Sequence, residues 1–284
     1  MAWFGRRRTI PDGLWMRCDA CEQMVYKREV EQGLWVCPKC QYHFSLSAPQ
    51  RLGILLDPDT FQESDAEIGP TDPLSFVDRM PYPARLAEYQ QKTGLREAVV
   101  TGRGKIQEHD LCIAVMDSRF IMASMGSVVG EKITRAFEHA YEQRLPLVIC
   151  CASGGARMQE GCLSLMQMIK TSAAAQRYRK QGGFYIAVLT NPTFAGVMAS
   201  FASLGDLIVA EPKALIGFTG ARVIEQTLNT ELPAGFQTAE FMLEHGFLDR
   251  VIHRKDHRRE LALLLDYCKP TFDGAPPKRA SVKA

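Results

Sequence analysis

The chain has 284 residues, 46% of them hydrophobic, 9% aromatic and 23% charged, with 34 Lys and Arg against 32 Asp and Glu. This is ordinary globular composition, which excludes a disordered chain, a collagen-like repeat and a coiled coil as descriptions of the whole. The formal net charge of +2 selects no partner class, although both ends are mildly basic and the body mildly acidic, a bias toward anionic contacts at the ends.

In chain order, the first feature is a run of three arginines, Arg6, Arg7 and Arg8, with no apolar segment behind it. That is not a secretory signal, so a reducing, cytoplasmic compartment is expected. Cys18-x2-Cys21 and Cys37-x2-Cys40 follow, a spacing that fits a four-thiolate Zn2+ site, since each C-x2-C pair in a tight turn aims two sulfurs at one point. His43 is expected to be a neighbour of the metal and not a ligand. Met24 to Tyr26 and Leu34 to Val36 read as strands, making residues 1–46 a zinc ribbon with a basic arm. So small a core needs its metal to fold. Residues 47–97, punctuated by six prolines, read as a connector with helical pieces, Ala84 to Lys92 among them.

From about Ala98 the pattern becomes regular. Ala98 to Val100 and Leu111 to Met116 read as strands, Val128 to Arg144 as a helix, and Leu147 to Ala152 as an apolar strand. A long helix is expected from Met158 to Lys180, with Cys162, Leu165, Ile169 and Ala173 forming a core-facing apolar stripe. Phe184 to Gly205 carries no charge, yet a turn signal at Thr190 to Thr193 splits it into a strand and a helix start. It is read as buried core, so no transmembrane segment is expected. Strands alternating with helices in ββα units imply an α/β fold with a largely parallel sheet over residues 98–268, followed by a flexible tail over 269–284.

Two strand-to-helix turns share one construction, Ser153-Gly154-Gly155-Ala156-Arg157 and Asn191-Pro192-Thr193-Phe194-Ala195-Gly196. Such turns lie where open α/β sheets place ligands. They carry unpaired backbone N–H groups that could form an oxyanion hole, although glycine-rich turns also occur for packing alone. Gly217 to Arg222 is a third, weaker example.

The four-cysteine ribbon, Ser124 to Gly130, SGGARMQEG (Ser153 to Gly161), NPTFAGVMASFASLGD (Asn191 to Asp206) and AEPKALIGFTGARVIEQT (Ala210 to Thr227), in that order, resemble the β subunits of bacterial acetyl-CoA carboxylase carboxyltransferase. The resemblance implies a crotonase-like fold. It also implies transfer of a carboxyl group from carboxybiotin, held on the biotin carboxyl carrier protein, to acetyl-CoA, giving malonyl-CoA for fatty acid biosynthesis. Gly154, Gly155, Ala195 and Gly196 match the family's two oxyanion pairs, with Ala195 and Ala123 standing where glycine is usual. No side-chain base is implied, and the ureido nitrogen of biotin is the expected proton acceptor. One crotonase-like domain holds only half of an active site, so a carboxyltransferase α subunit is expected as partner, in an α2β2 assembly that works with the carrier protein and an ATP-using biotin carboxylase.

Arg157, Gly217 and Arg222 are candidate substrate contacts, the two arginines for CoA phosphates or a carboxylate. Glu160 is read as a helix-dipole partner and not a base. Cys112, Cys150, Cys151, Cys162 and Cys268 are read as inert thiols, His109, His253 and His257 as solvated, and the methionines as core or partner-face residues. A second reading, a zinc-ribbon nucleic-acid-binding protein, rests on the ribbon and the N-terminal arginines. A third, an enoyl-CoA hydratase, lacks the expected carboxylates.

Overall fold

The computed structural model describes residues 13–272, without the side chains of Arg222 and Leu228. The Arg6–Arg8 arm and residues 273–284 lie outside the described residues. The chain divides into two compact units between Phe44 and Ser45.

In the first unit, strand β1 (Trp15–Arg17) pairs antiparallel with β2 (Met24–Tyr26), and β2 runs into a short helix α1 (Lys27–Gln32). Leu34 to Val36 is not the expected strand. Leu34 and Trp35 have φ of 57° and 60°, left-handed values that turn the chain after Gly33 toward Cys37. Only an isolated bridge, Val36 with His43, remains there. Cys18, Val25, Val30, Cys37 and Phe44 form the unit's small core.

The second unit is built on one sheet. Its strands are β3 (Gln62–Ser64), β4 (Val99–Ile106), β5 (His109–Met116), β6 (Leu147–Ser153), β7 (Tyr185–Phe194), β8 (Leu207–Ala210), β9 (Ile216–Gly217) and β10 (Arg250–Val251). The order is β10-β8-β7-β6-β5-β4-β3, with β9 against the far end of β7. From β5 to β10 neighbours in this order are parallel, whereas β4 is antiparallel to β5 and β3 to β4. The β4–β5 hairpin turns on Gln107 and Glu108, with φ of 46° and 70°. Asp57 accepts both of their N–H groups at 3.1 and 2.9 Å, which compensates two non-glycine residues in left-handed geometry.

Both faces of the parallel strands are buried, which explains why they read as continuous apolar runs rather than alternating ones. Leu147, Ile149 and Cys151 of β6 face one core, with α4 (Ser127–Gln143) and α5 (Cys162–Lys180) packed over it. Val148 and Cys150 face the other, covered by α2 (Ala48–Leu55) and α9 (His257–Tyr267). Shorter helices α3 (Tyr82–Thr93), α6 (Ala195–Met198), α7 (Ala221–Leu228) and α8 (Ala239–Glu244) complete the unit.

Two expectations are corrected. Residues 47–97 are no mere connector: α2 supplies Leu52 and Leu55 to the second core, and β3 extends the sheet. Three of the six prolines stand at helix starts, Pro81 at the N-cap of α3 and Pro49 and Pro83 each within the first two positions, where the missing N–H costs nothing. The tail is ordered at least to Phe272, whose ring packs on Tyr141 and Tyr178 at 6.0 and 5.9 Å while Thr271 N–H donates to Gly182 O at 2.8 Å.

Candidate functional site

The parallel register brings the glycine turns together at the carboxyl ends of the strands. Ser153 at the end of β6 is in register with Thr193 near the end of β7. A Cβ placed on Gly155 would lie 3.3 Å from Ala195 Cβ, so the two turns lie side by side with little room for a side chain between them. The third turn joins them, because Phe194 of β7 is in register with Gly217 of β9. A side chain at Gly217 would run into Gln237, 2.4 Å from its Nε2.

The amides themselves divide unevenly. Gly154 N–H donates to Met122 O at 2.8 Å, Gly155 N–H to Ser153 Oγ at 3.0 Å, and Ala195 N–H to Phe218 O at 3.0 Å. Three of the four amides matched to the oxyanion pairs are thus spent on holding the turns. Among the described residues no group accepts the N–H of Gly196 or of Ala156, and these two are the donors left open on the two turns. Sequence reasoning missed Ala156, because only the bridge between Met125 and Gly155–Arg157 shows which amides of SGGAR are already taken. Ala195 has φ of 47° and Ala123 of 48°, the left-handed geometry that explains why glycine suits both places.

Arg157 is corrected outright as a phosphate ligand. It is 0% exposed and both of its terminal nitrogens bind Glu97, at 2.6 Å each. Its remaining donors go to Ser124 Oγ, Ser124 O and Tyr82 OH at 3.1, 2.8 and 3.2 Å. All five N–H groups are therefore used inside the protein. The Glu97 charge holds the guanidinium's pKa above its ordinary value despite burial. The role of Arg157 is to fix the turn that carries Gly154, Gly155 and Ala156. Glu160 acts likewise: its carboxylate accepts Ser127 N–H at 2.6 Å and Tyr82 OH at 2.8 Å, so it caps the start of α4 and is not free as a base. The side chain of Arg222 lies outside the described residues.

Other sequence readings divide as well. Cys150 and Cys151 are fully buried, and burial pushes the Cys150 thiol up to about 11, consistent with inert thiols. Cys162, by contrast, is exposed. His257, read as solvated, is 1% exposed and bonds Ile252 O at 3.0 Å. The stripe on α5 points outward: Leu165 is 51% and Ile169 64% exposed.

In the first unit Cys18, Cys21, Cys37 and Cys40 bring their sulfurs within 4.8 Å of one another, and His43 is not in the group. Cys18 Sγ and Cys40 Sγ are 3.7 Å apart, Cys21 Sγ and Cys37 Sγ 3.9 Å. Zinc–sulfur bonds of about 2.3 Å in a tetrahedron require edges of about 3.8 Å. The knuckles are alike: Glu22 N–H donates to Cys18 O and Gln41 N–H to Cys37 O, with φ of 59° and 61° at the two donors.

Comparison with known proteins gives two family matches, a carboxyl transferase domain over residues 46–282 and an acetyl-CoA carboxylase zinc finger domain over 15–40. The acetyl-coenzyme A carboxylase carboxyl transferase subunit beta of Rhodopirellula baltica is 56% identical over 93% of this chain and 85% of its own. That of Clostridium botulinum is 51% identical over 93% and 90%. The chain belongs to the acetyl-CoA carboxylase carboxyl transferase beta-subunit family. Among solved structures, transcarboxylase 12S aligns with a TM-score of 0.65 and 26% identity over 84% of this chain, although that covers only 44% of the transcarboxylase. A Pseudomonas malonate decarboxylase hetero-dimer aligns at 0.58 and 23%, over 81% and 89% of the two chains, which shows the shared fold. The chain is a crotonase-fold carboxyltransferase subunit with a zinc-ribbon domain. The two matches account for both units, and the nucleic-acid-binding reading finds no support in them. Among the described residues no helix is long and apolar enough to cross a membrane.

Proposed function

We propose that the chain binds acetyl-CoA and completes a carboxyltransferase with a separate α subunit, moving the carboxyl group of carboxybiotin on the biotin carboxyl carrier protein to the thioester's methyl carbon. Carboxybiotin supplies the activated carboxyl group. What this chain supplies is a fixed donor for the oxygen that becomes negative when the methyl group loses its proton. The observation that carries the reading is the open amide of Gly196, held where the two turns lie side by side, with the amides of Gly154, Gly155 and Ala195 satisfied internally and that of Ala156 the other donor left open. A preorganised donor there stabilises an enolate without reorganisation, an effect of about 100- to 1,000-fold per donor in comparable sites. No carboxylate is free on either turn to act as base, which agrees with a proton acceptor on the second substrate.

The partner reading rests on the outward apolar stripe of α5, where Met158, just before the helix, and Leu165, Met166 and Ile169 on it are all exposed. Contiguous apolar surface of this kind marks an interface, and the α subunit in an α2β2 assembly is its expected cover. The four thiolates hold one Zn2+ per chain. With every position taken by cysteine the site is closed, so the ion is structural, as suits a reduced protein working in the cytoplasm. Zinc content of one equivalent, falling below about a tenth in Cys18→Ser with loss of the ribbon's fold, is the expected result of metal analysis.

The test of the function is the reverse reaction, malonyl-CoA-dependent carboxylation of biocytin. It is expected only after the chain is mixed with its α subunit, and activity of the chain alone would sink the reading. In the assembled enzyme Gly196→Pro, which removes the N–H, should lower kcat by about 100-fold or more. Gly196→Ala, whose Cβ would meet Met125 Cε at 3.1 Å and Met168 Sδ and Cγ at 3.4 and 3.5 Å, flexible side chains that can give way, should keep most of it.

A further inference from the structure

Away from the glycine turns, β3, β4, α2 and the segment before β4 enclose a cavity of about 540 Å³, a size typical of small-molecule sites. Leu52, Phe61, Leu95, Val99 and Val100 supply apolar walls. Lys132, projecting from α4, is the buried polar lining group that stands out: it is 3% exposed, lines the cavity, and among the described residues makes neither a hydrogen bond nor an ion pair. Burial lowers its pKa, opposed only at longer range by Glu63, Asp65 and Glu97. Two of those carboxylates are committed elsewhere, Glu97 to Arg157 at 2.6 Å and Asp65 to Arg135 and His139 at 2.9 and 3.0 Å. An ammonium brings three donors and no acceptor function, and at the wall of this cavity it is available to an anion that enters.

We propose that this cavity is a second ligand site, which takes a small amphipathic monocarboxylate with its head on Lys132 and its hydrocarbon body against Leu52, Phe61 and Val100. A carboxylate at hydrogen-bond distance meets the ammonium more closely than any protein carboxylate does, so attraction to Lys132 outweighs repulsion from Glu97 and Asp65, which are already paired, and from the exposed, solvent-screened Glu63. Multiply charged anions are disfavoured, because Glu63 and Glu67 stand at the cavity and its cations are Lys132 and Arg96, of which Arg96 is itself 3.3 Å from Glu67. That excludes phosphate esters, and with them the phosphate end of a coenzyme. Glu97 lines this cavity while gripping Arg157, so the site is separate from the glycine turns but one ion pair away from them. It does not depend on the reaction proposed above.

The experiment titrates the full chain with hexanoate by calorimetry, following Lys132 and its neighbours by NMR, with hexan-1-ol, hexylamine and inorganic phosphate as comparison probes. Hexanoate should bind once per chain with a Kd of about 1 mM or below, and hexanol, hexylamine and phosphate at least tenfold more weakly. Lys132→Met, which keeps the volume and removes the charge, should weaken hexanoate at least tenfold. Glu63→Gln, at an exposed position, should tighten it by about two- to threefold. No saturable hexanoate binding, or hexanol binding as tightly as hexanoate, overturns the proposal. So does unchanged affinity in Lys132→Met. Should that variant fail to fold, the Glu63→Gln result decides, and an affinity equal to that of the unmodified chain then counts against the site.

Discussion

Ala195 and Gly196 are neighbours in sequence with opposite roles. Ala195 holds a left-handed φ of 47° and spends its N–H on Phe218 O, and that bend is what leaves the Gly196 N–H open. A non-glycine residue in this region costs on the order of 1 kcal/mol. Ala195→Gly should therefore stabilise the chain by about 1 kcal/mol, a rise in Tm of about 2–4 °C, while preserving the hydrogen bond to Phe218 O. A calorimetric Tm unchanged or lowered would mean that the strain is absorbed elsewhere. At this scale the glycine motifs were legible in the sequence, but which amides they leave free was not. Gly154 and Gly155 draw attention by composition, whereas their N–H groups are consumed by Met122 O and Ser153 Oγ, acceptors set by the folded turn. Arg157 misled for the same reason: a helix-start arginine looks available until Glu97, 60 residues upstream, takes both of its terminal nitrogens.

Helix α5 shows how an element can be located correctly and oriented wrongly. Its large apolar residues form a stripe that sequence periodicity assigns to the core, yet the buried face is built from Ser164, Gln167, Thr171, Ala174, Ala175 and Tyr178. Close approach to α4 explains the choice. A Cβ on Gly130 of α4 would lie 2.6 Å from Gln167 Cβ, so bulky aliphatic side chains have no room on that side. The small polar groups satisfy themselves on their own helix, Ser164 Oγ donating to Gly161 O at 2.7 Å and Thr171 Oγ to Gln167 O at 2.9 Å. The exposed stripe is thus surplus to this chain's core, which is the physical argument for a partner. Ile169→Asp should leave the unfolding free energy within about 0.5 kcal/mol, as for other exposed positions, while weakening capture of the α subunit at least tenfold by placing a charge in an apolar interface. Undiminished capture in a pull-down would place the interface elsewhere.

For the large unit as a whole, the parallel sheet was legible because both-face burial writes itself as apolar runs, while its closure against α2 and α9 was not, since that depends on charges far apart in sequence. Glu211, after β8, accepts from Arg51 of α2 at 2.7 Å and from Arg254, before α9, at 2.8 and 2.7 Å, all three buried. His257 lies beside this cluster. Burial, with the charges of Arg51 and Arg254 against it, pushes its pKa down to about 4 from an ordinary 6.5. The unfolded chain takes up the proton below pH 6.5 and the folded chain refuses it, so stability is lost as pH falls from about 6.5 to about 4. The full loss is about 3 kcal/mol, of which about 2 kcal/mol falls above pH 5, before most carboxylates titrate. Urea unfolding at pH 7 and pH 5 should show that difference in the unmodified chain. It should be largely absent in His257→Gln, which keeps a donor for Ile252 O but carries no titratable ring. Equal pH slopes in the two proteins would show that His257 is protonated in the folded state and that the Glu211 cluster shields it.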